Sequence, residues 1–449
     1  MSTDTPPALR WGVVGGGMLG LTLAHRLAAA GQRVTILEAA PHIGGLASAW
    51  SLGDIVWDRH YHVTLLSDSN LRALLTELGI EQDMRWVETK TGFYTDGRLY
   101  PMSNTIEFLR FPPLGLFSKF RLAATIVYAS RVTDWKRLEG ILVTDWLRRL
   151  SGRKTFERIW LPLLRAKLGD NYTRTSASFI WATIARMYAA RRTGLKKEMF
   201  GYMPGGYART LEQFAATLNQ EGVEIVLNAT TDRIVAGGEV RVLAGDGTSR
   251  VFDRVVVTVP GPVAAKMCPG LTGEEATRLS QIEYQGIVCA SLLLKQPLSP
   301  YYVTNITDGG VPFTAVIEMT ALVDRAELGG HALVYLPRYV TQDDPAFGLD
   351  DDSIRQRFVG ALSRMYPHFS PNDVVCFQIS RARYVQPLST LHYSDRLPSI
   401  RSSLPGVFFV NSSHITNGTL NVNETVGLAT RAASELLIGT ASSQGQERA

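Results

Sequence analysis

Three glycines spaced Gly15-x-Gly17-x-x-Gly20 follow the apolar run 11–14 and open an apolar helical pattern that stops at Gly31. Strand, glycine turn and helix in that order suit a pyrophosphate. Gly15 permits a tight turn, Gly17 lets the backbone approach the phosphates, and Gly20 lets helix and sheet pack closely. Met18 and Leu19 lie at the helix start, where free peptide N–H groups and the positive dipole end favour an anion. A β-branched run, 33–37, then ends at Glu38, eighteen residues after Gly20. A carboxylate there accepts ribose hydroxyls and disfavours a 2′-phosphate. The pattern predicts a site for NAD or FAD.

Asp58-Arg59-His60-Tyr61-His62 is the second concentration of chemistry. Along a strand His60 and His62 would share one face and Tyr61 the other. Two imidazoles titrating near neutrality could move protons or bind an anion; the alternative is a hydrogen-bonded structural pair. No metal site is expected, because Cys268, Cys289 and Cys376 are far apart and no His-Glu-x-x-His occurs. An odd cysteine count without a disulfide framework fits a reducing compartment.

The run Glu38-Ala39-Ala40-Pro41-His42-Ile43-Gly44-Gly45-Leu46-Ala47-Ser48 resembles the second glycine motif of the flavin amine oxidase superfamily. That superfamily holds amine oxidases, protoporphyrinogen oxidases, carotenoid desaturases and, more distantly, UDP-galactopyranose mutases. The resemblance implies FAD, with Ala39 beside Glu38 at the nucleotide and Gly44, Gly45, Leu46 and Ala47 along the pyrophosphate and ribityl chain; no Cys or His stands at a recognisable attachment motif, so noncovalent binding is expected. Met203-Pro204-Gly205-Gly206-Tyr207 is similar to the family's Pro-Gly-Gly segment. Thr231 matches the residue that holds the adenine end through its backbone, and Pro260 the proline ending a strand at the cofactor. His60 replaces a glycine that runs beside the flavin. Ser412 stands where aspartate is common, and Asn423 where glutamate is common. With Glu424 and Thr425, Asn423 would open a helix at the flavin's pyrimidine edge.

The amine oxidase subgroup carries a lysine six residues before a Lys-Glu-Pro turn. Here the turn is Lys295-Gln296-Pro297 and the matching position is Cys289, which counts against an amine substrate and reads as a small core residue.

The 449 residues exceed the roughly 250–300 at which single cores stop growing. The expected fold is α/β: a discontinuous Rossmann-like FAD-binding domain from 1–88, 200–285 and 396–449, and an α+β substrate domain from 89–199 and 286–395. Asp96-Gly97 marks a hairpin in the first insertion, followed by helical patterns from 106 to 197. Runs at 290–294, 332–336 and 374–379 suggest a sheet floor in the second. Tyr94, Tyr100, Trp160, Trp181 and Tyr207 fit either pocket lining or core.

No apolar run reaches the ~18 residues of a membrane span, and no signal peptide is recognisable. A cytoplasmic protein is expected, with peripheral contact at the inner face of the membrane. The net charge is +5, yet 131–197 holds sixteen Lys and Arg against five Asp and Glu, leaving the remainder at −6. This basic insertion, including Arg148, Arg149, Arg153, Lys154, Arg158, Arg165 and Lys167, follows an apolar stretch around Phe111 to Phe117. The pairing suits a lipophilic anionic molecule or an anionic membrane, or else a solvated helix face. No nucleic-acid module is present.

The resemblance implies an FAD-dependent oxidoreductase that takes a hydride from a C–H bond of a lipophilic and/or anionic small molecule, with His60 or His62 handling the companion proton. The alternatives are a redox-neutral sugar isomerase like UDP-galactopyranose mutase, and a noncatalytic binding protein of the same fold.

Overall fold

The computed structural model describes residues 8–190 and 199–446. Five parallel strands form the nucleotide-side sheet, in the spatial order Glu224–Val226, Arg33–Leu37, Arg10–Val14, Arg254–Val257 and Val407–Phe409. Three separate stretches of chain therefore build one sheet. Its central strands read as near-continuous apolar runs because helices and loops cover both faces. Trp11 stacks on Phe408 with ring centroids 5.9 Å apart. Helix Met18–Ala29 packs beside the long helix Val422–Gln446. On the other side lies a three-stranded antiparallel sheet, Thr231–Ala236, Val240–Ala244 and Ser249–Phe252.

The second sheet has seven strands: Val374–Pro387, Tyr284–Leu294, Ala332–Val340, Ala315–Glu318, Val303–Ile306, Thr91–Thr95 and Arg98–Pro101. All eleven residues of Tyr284–Leu294 are buried, which requires cover on both faces. Val288, Ala290, Leu292 and Leu294 pack with Phe358 and Leu362 of helix Asp351–Met365. Ile287, Cys289 and Leu293 pack with Leu52, Trp57 and Phe200 on the nucleotide side. The strand begins at Tyr284, so Tyr284 and Gln285 belong to this sheet and not to the nucleotide-side unit.

The hairpin forms at Asp96-Gly97, whose φ values are 53° and 69°, the positive pair that a two-residue type I′ turn demands. Short helices follow, from Thr105–Arg110 to Ala177–Ala190, with a π-helical turn at Phe156–Trp160. Val143, Leu147, Phe156, Leu164, Leu168 and Ala177 form their common core. No helix among the described residues is long and apolar enough to cross a membrane.

Candidate functional site

The glycine turn is built around backbone contacts. Gly15 has φ 111°, and its N–H donates to Leu37 O at 2.9 Å. A Cβ on Gly20 would sit 1.9 Å from Gly15 O, so the helix can approach the turn this closely only without a side chain. The segment Gly44–Gly45 crosses the same turn. Gly44 N–H donates to Gly16 O at 2.8 Å, and a Cβ on Gly45 would lie 3.2 Å from Gly17 Cα. Helix Met18–Ala29 has no side-chain cap at Gly17 and no acid in its first turn, which leaves its N-terminal N–H groups for an anion. Met18 and Leu19 are buried in the core, so only their peptide groups can serve a cofactor.

Glu38 accepts from Gly16 N–H at 2.6 Å and Ala40 N–H at 2.8 Å. A carboxylate offers about four acceptor sites, so capacity for ribose hydroxyls remains. Glu38 O also accepts from Ala229 N–H at 2.8 Å, which brings the chain leading to the buried Thr231 beside it. Ala39 is exposed, Leu46 half-buried and Ala47 buried. The Ser48 hydroxyl is buried without a partner, and the Ser48 backbone lies against Gly44. Buried polar atoms are normally satisfied, so this orphan marks a place for a bound group. Two glycines in van der Waals approach, an uncapped helix start and an orphaned hydroxyl fit a dinucleotide pyrophosphate.

Pro260 and Ser412 lie past the carboxyl ends of neighbouring parallel strands, the usual ligand edge of an open α/β sheet. Tyr284, which sequence reasoning missed, joins them. Its hydroxyl accepts from Gly261 N–H at 3.2 Å and meets Ser412. Asn411 was missed as well. Its Oδ1 caps Ser413, while its Nδ2 is buried and unpartnered. Its place directly after the apolar run 407–410 is the signal that could have found it.

The helix start at Asn423 departs from the expected arrangement. Asn423 Oδ1 accepts from the N–H groups of Asn70 and Leu71 at 2.9 and 3.1 Å, capping helix Ser69–Glu77. Its Nδ2 donates to Glu424 Oε1 at 3.2 Å. Thr425 Oγ1 donates to Asn421 O at 2.8 Å, and Asn421 Oδ1 takes Glu424 N–H at 3.0 Å. These side chains hold two helix starts together, and Asn421 takes one N–H group, that of Glu424, from the first turn.

The histidine segment also differs from expectation. Strand Ile55–Asp58 ends at Asp58, and residues 59–63 are not a strand, so alternation does not apply. His60 Nδ1 lies 3.3 Å from Leu46 O, and its Nε2 lies 3.1 Å from Ser380 Oγ. Nδ1–H donates to the carbonyl and Nε2 accepts from the hydroxyl, so the ring is neutral and tied at both ends. His62 turns elsewhere. Its ring packs on Tyr207 at 4.8 Å, and its Nδ1 lies 3.9 Å from Asp58 Oδ2, too far for a hydrogen bond. That nitrogen is buried without a partner beside a cavity of about 20 Å³ lined by Trp57, Asp58, Thr64 and Met319. Burial pushes both imidazoles down to about 4, so neither titrates near neutrality. Asp58 does: burial raises its carboxyl to about 7 although Tyr207 N–H donates to it at 2.7 Å.

This segment rests on the long-stranded sheet. Tyr335 Oη donates to Asp58 O at 2.5 Å. The hydroxyls of Tyr61 and Tyr339 are 2.9 Å apart, and Lys167 Nζ lies 3.5 Å from the Tyr339 ring centroid. Cys289 is fully buried on the same face, and burial pushes its thiol up. Lys295 is exposed at the strand's end. Trp160 and Trp181 lie in the helical core, with their indole N–H groups on Ser151 Oγ and Val132 O. Tyr94 belongs to the core beneath the sheet, and Tyr100 packs edge-on against Phe111.

Several cations of the basic insertion are paired, mostly with acids from other parts of the chain. Arg153 meets Glu157 at 2.9 Å, Arg158 meets Asp96 at 2.5 Å, Arg174 meets Glu283, and Arg186 meets Asp68 at 2.9 Å. Arg165 stacks on Tyr172 and Arg148 on Phe156. Arg191, Arg192, Lys196 and Lys197 lie outside the described residues.

The model of the family described as "Flavin containing amine oxidoreductase" matches residues 19–437. A zeta-carotene desaturase from Synechocystis sp. is 26% identical over 298 residues, covering 59% of this chain and 58% of its own. Protoporphyrinogen oxidase 2 of Arabidopsis thaliana is 27% identical over 162 residues, covering 34% and 32%. The match thus spans less than two thirds of these relatives' length. A solved oxidoreductase from Methanosarcina mazei aligns with a TM-score of 0.73 at 18% identity, covering 95% of this chain and all of that one, a likeness of fold. The glycine cradle, the paired sheets and the family match agree: the chain belongs to the flavin containing amine oxidoreductase family, whose cofactor is FAD.

Proposed function

We propose that this protein is an FAD-dependent oxidoreductase that takes a hydride from a C–H bond of a lipophilic and/or anionic small molecule. The observation that carries this reading is the approach of Gly44–Gly45 to Gly17 at an uncapped helix start. The same chain runs on, within fifteen residues, to a His60 loop seated on the substrate-side sheet. Bound FAD supplies the hydride acceptor. The protein's part is to position and to exclude water.

His60 locks the loop between Leu46 and Ser380 and is a positioning residue. His62, held neutral by burial, has an unpartnered Nδ1 3.9 Å from Asp58, which leaves it a ring nitrogen for a proton-transfer contact. Beneath the loop Cys289, Ile287 and Leu333 are buried in an apolar cluster with Trp57 and Phe200, and a cysteine, not a lysine, stands at position 289. That favours a hydrocarbon-rich substrate over an amine. Lys167, which makes no ion pair among the described residues, supports an anionic group at its edge. A hydrocarbon-rich substrate partitions into membranes, which supports peripheral contact of the protein with a membrane surface.

Anaerobic mixing of the oxidised holoprotein with carotenes, porphyrinogens and anionic lipids tests this. Bleaching of the flavin absorbance by one of them is expected. No bleaching by any, with turnover only after prereduction and without net oxidation, would instead assign a redox-neutral isomerase.

A further inference from the structure

Eleven large hydrophobic side chains are exposed among the described residues, and six of them fall between Ile106 and Tyr128. The three most exposed are Leu116, Phe117 and Phe120, at 76%, 73% and 72%. They lie on helix Leu116–Ala129, whose opposite face buries Leu122, Thr125 and Ala129. Leu116, Phe120, the exposed Ala124 and Tyr128 recur every four residues, so one stripe of this helix is apolar and faces outward. Ile106 and Leu109, on the preceding helix Thr105–Arg110, are also exposed. Isolated exposed apolar residues need no explanation, but a contiguous cluster marks an interaction surface.

Charge borders this surface. Arg121 lies with its guanidinium 6.0 Å from the Phe117 ring centroid. It donates to Leu150 O and Arg149 O at 3.1 and 2.9 Å, which docks the end of helix Val143–Ser151 beside the patch. Arg149 and Lys154 are exposed there and form no ion pair among the described residues, and Arg110 stands exposed and unpaired on the other flank. Of the nearby acids, Glu107 accepts from Ser103 N–H and Glu157 is paired with Arg153, while Asp145, exposed one helical turn before Arg149, makes no ion pair with it among the described residues.

We infer that the face formed by Ile106, Leu109, Leu116, Phe117 and Phe120 inserts into the surface of an anionic phospholipid bilayer, with Arg110, Arg149 and Lys154 on the headgroups. Apolar side chains on an amphipathic helix enter the acyl boundary while flanking cations meet negative lipid. This deepens the membrane partner of the functional reading. Because binding is measured without turnover, its failure would leave the flavin chemistry untouched.

The test is cosedimentation of the holoprotein with vesicles of pure phosphatidylcholine or of phosphatidylcholine with phosphatidylglycerol, at low and high salt. Expected is pelleting with the anionic vesicles that weakens with salt. F117S/F120S should lose it by roughly tenfold or more, and R149Q/K154Q by about fivefold per charge removed. All substituted residues are exposed, and the flavin spectrum reports the fold. Absence of anionic-vesicle binding, or an unchanged F117S/F120S protein, overturns the inference. So does a wild-type dimer that F117S/F120S converts to monomer without any vesicle binding, which would assign the face to a second copy of the chain.

Discussion

The nucleotide cradle and the histidine loop lie within fifty residues of each other in sequence, yet they are made differently. At Gly15 to Gly20 and Gly44 to Gly45 the backbone is the site, and side chains matter because they are missing. At Asp58 to His62 the site consists of side chains whose directions come from distant strands, through Ser380, Tyr335 and Tyr339. A backbone site tolerates almost no substitution and leaves a spacing signature. A side-chain site tolerates exchange of partners and leaves none.

The largest effect should come from Gly20→Ala. Its Cβ would overlap Gly15 O at 1.9 Å, so the turn must open. A cost of about 3 kcal/mol or more in chemical denaturation and near-complete loss of FAD are expected. If the variant retains FAD at wild-type stability, the cradle is not backbone-limited.

On the loop, His60→Ala leaves Leu46 O and Ser380 Oγ unpaired, and should cost about 1–3 kcal/mol while lowering turnover. His62→Ala should lower turnover with less loss of stability, because His62 Nδ1 has no partner to orphan. Equal effects of the two on denaturation midpoint and rate would erase the distinction between positioning and proton handling.

Titration separates the same groups. His60 and His62 fall from 6.5 to about 4 on folding. Their neutral-state stabilisation is therefore complete above pH 6.5 and lost as pH falls toward 4. Asp58 and Glu318 rise from 3.8 and 4.5 to about 7, so their contribution is complete below those unfolded values and lost as pH rises toward 7. Denaturation midpoints of Asp58→Asn should therefore lose less than wild type between pH 5 and 8. An identical pH profile would contradict a buried, neutral Asp58.

The smallest effect is expected at Asn423→Ala, about 1 kcal/mol from the lost cap on helix Ser69–Glu77, with FAD content unchanged. Loss of FAD without loss of stability would return Asn423 to the cofactor.

How much was legible follows the same division. The glycine spacing and Glu38 announced the cradle because steric limits act on residue type, and the hairpin at Asp96-Gly97 was legible for the same reason. The directions of His60 and His62 were not, because the strand ends at Asp58 and only packing against Ser380 and Tyr207 sets them. The capping role of the Asn423 side chain was not legible, because a helix start can face a cofactor or another helix with the same residues. The basic insertion was legible as charge, but its ion pairs, such as Arg158 with Asp96, depend on tertiary approach. The exposed stripe on Leu116–Ala129 needed burial values, since its sequence is apolar on both faces.

The central claim is that Gly44–Gly45 and the helix start at Gly17 hold FAD. The most direct measurement is flavin content per chain for wild type and Gly45→Val. Gly45 has φ 56°, a conformation costly for a β-branched residue, and lies against Gly17 where the pyrophosphate would pass. The account predicts close to one FAD per wild-type chain and at least roughly tenfold weaker FAD binding in a folded variant. A wild-type protein that is colourless and stays so with added FAD, or a Gly45→Val protein with full flavin, would contradict it.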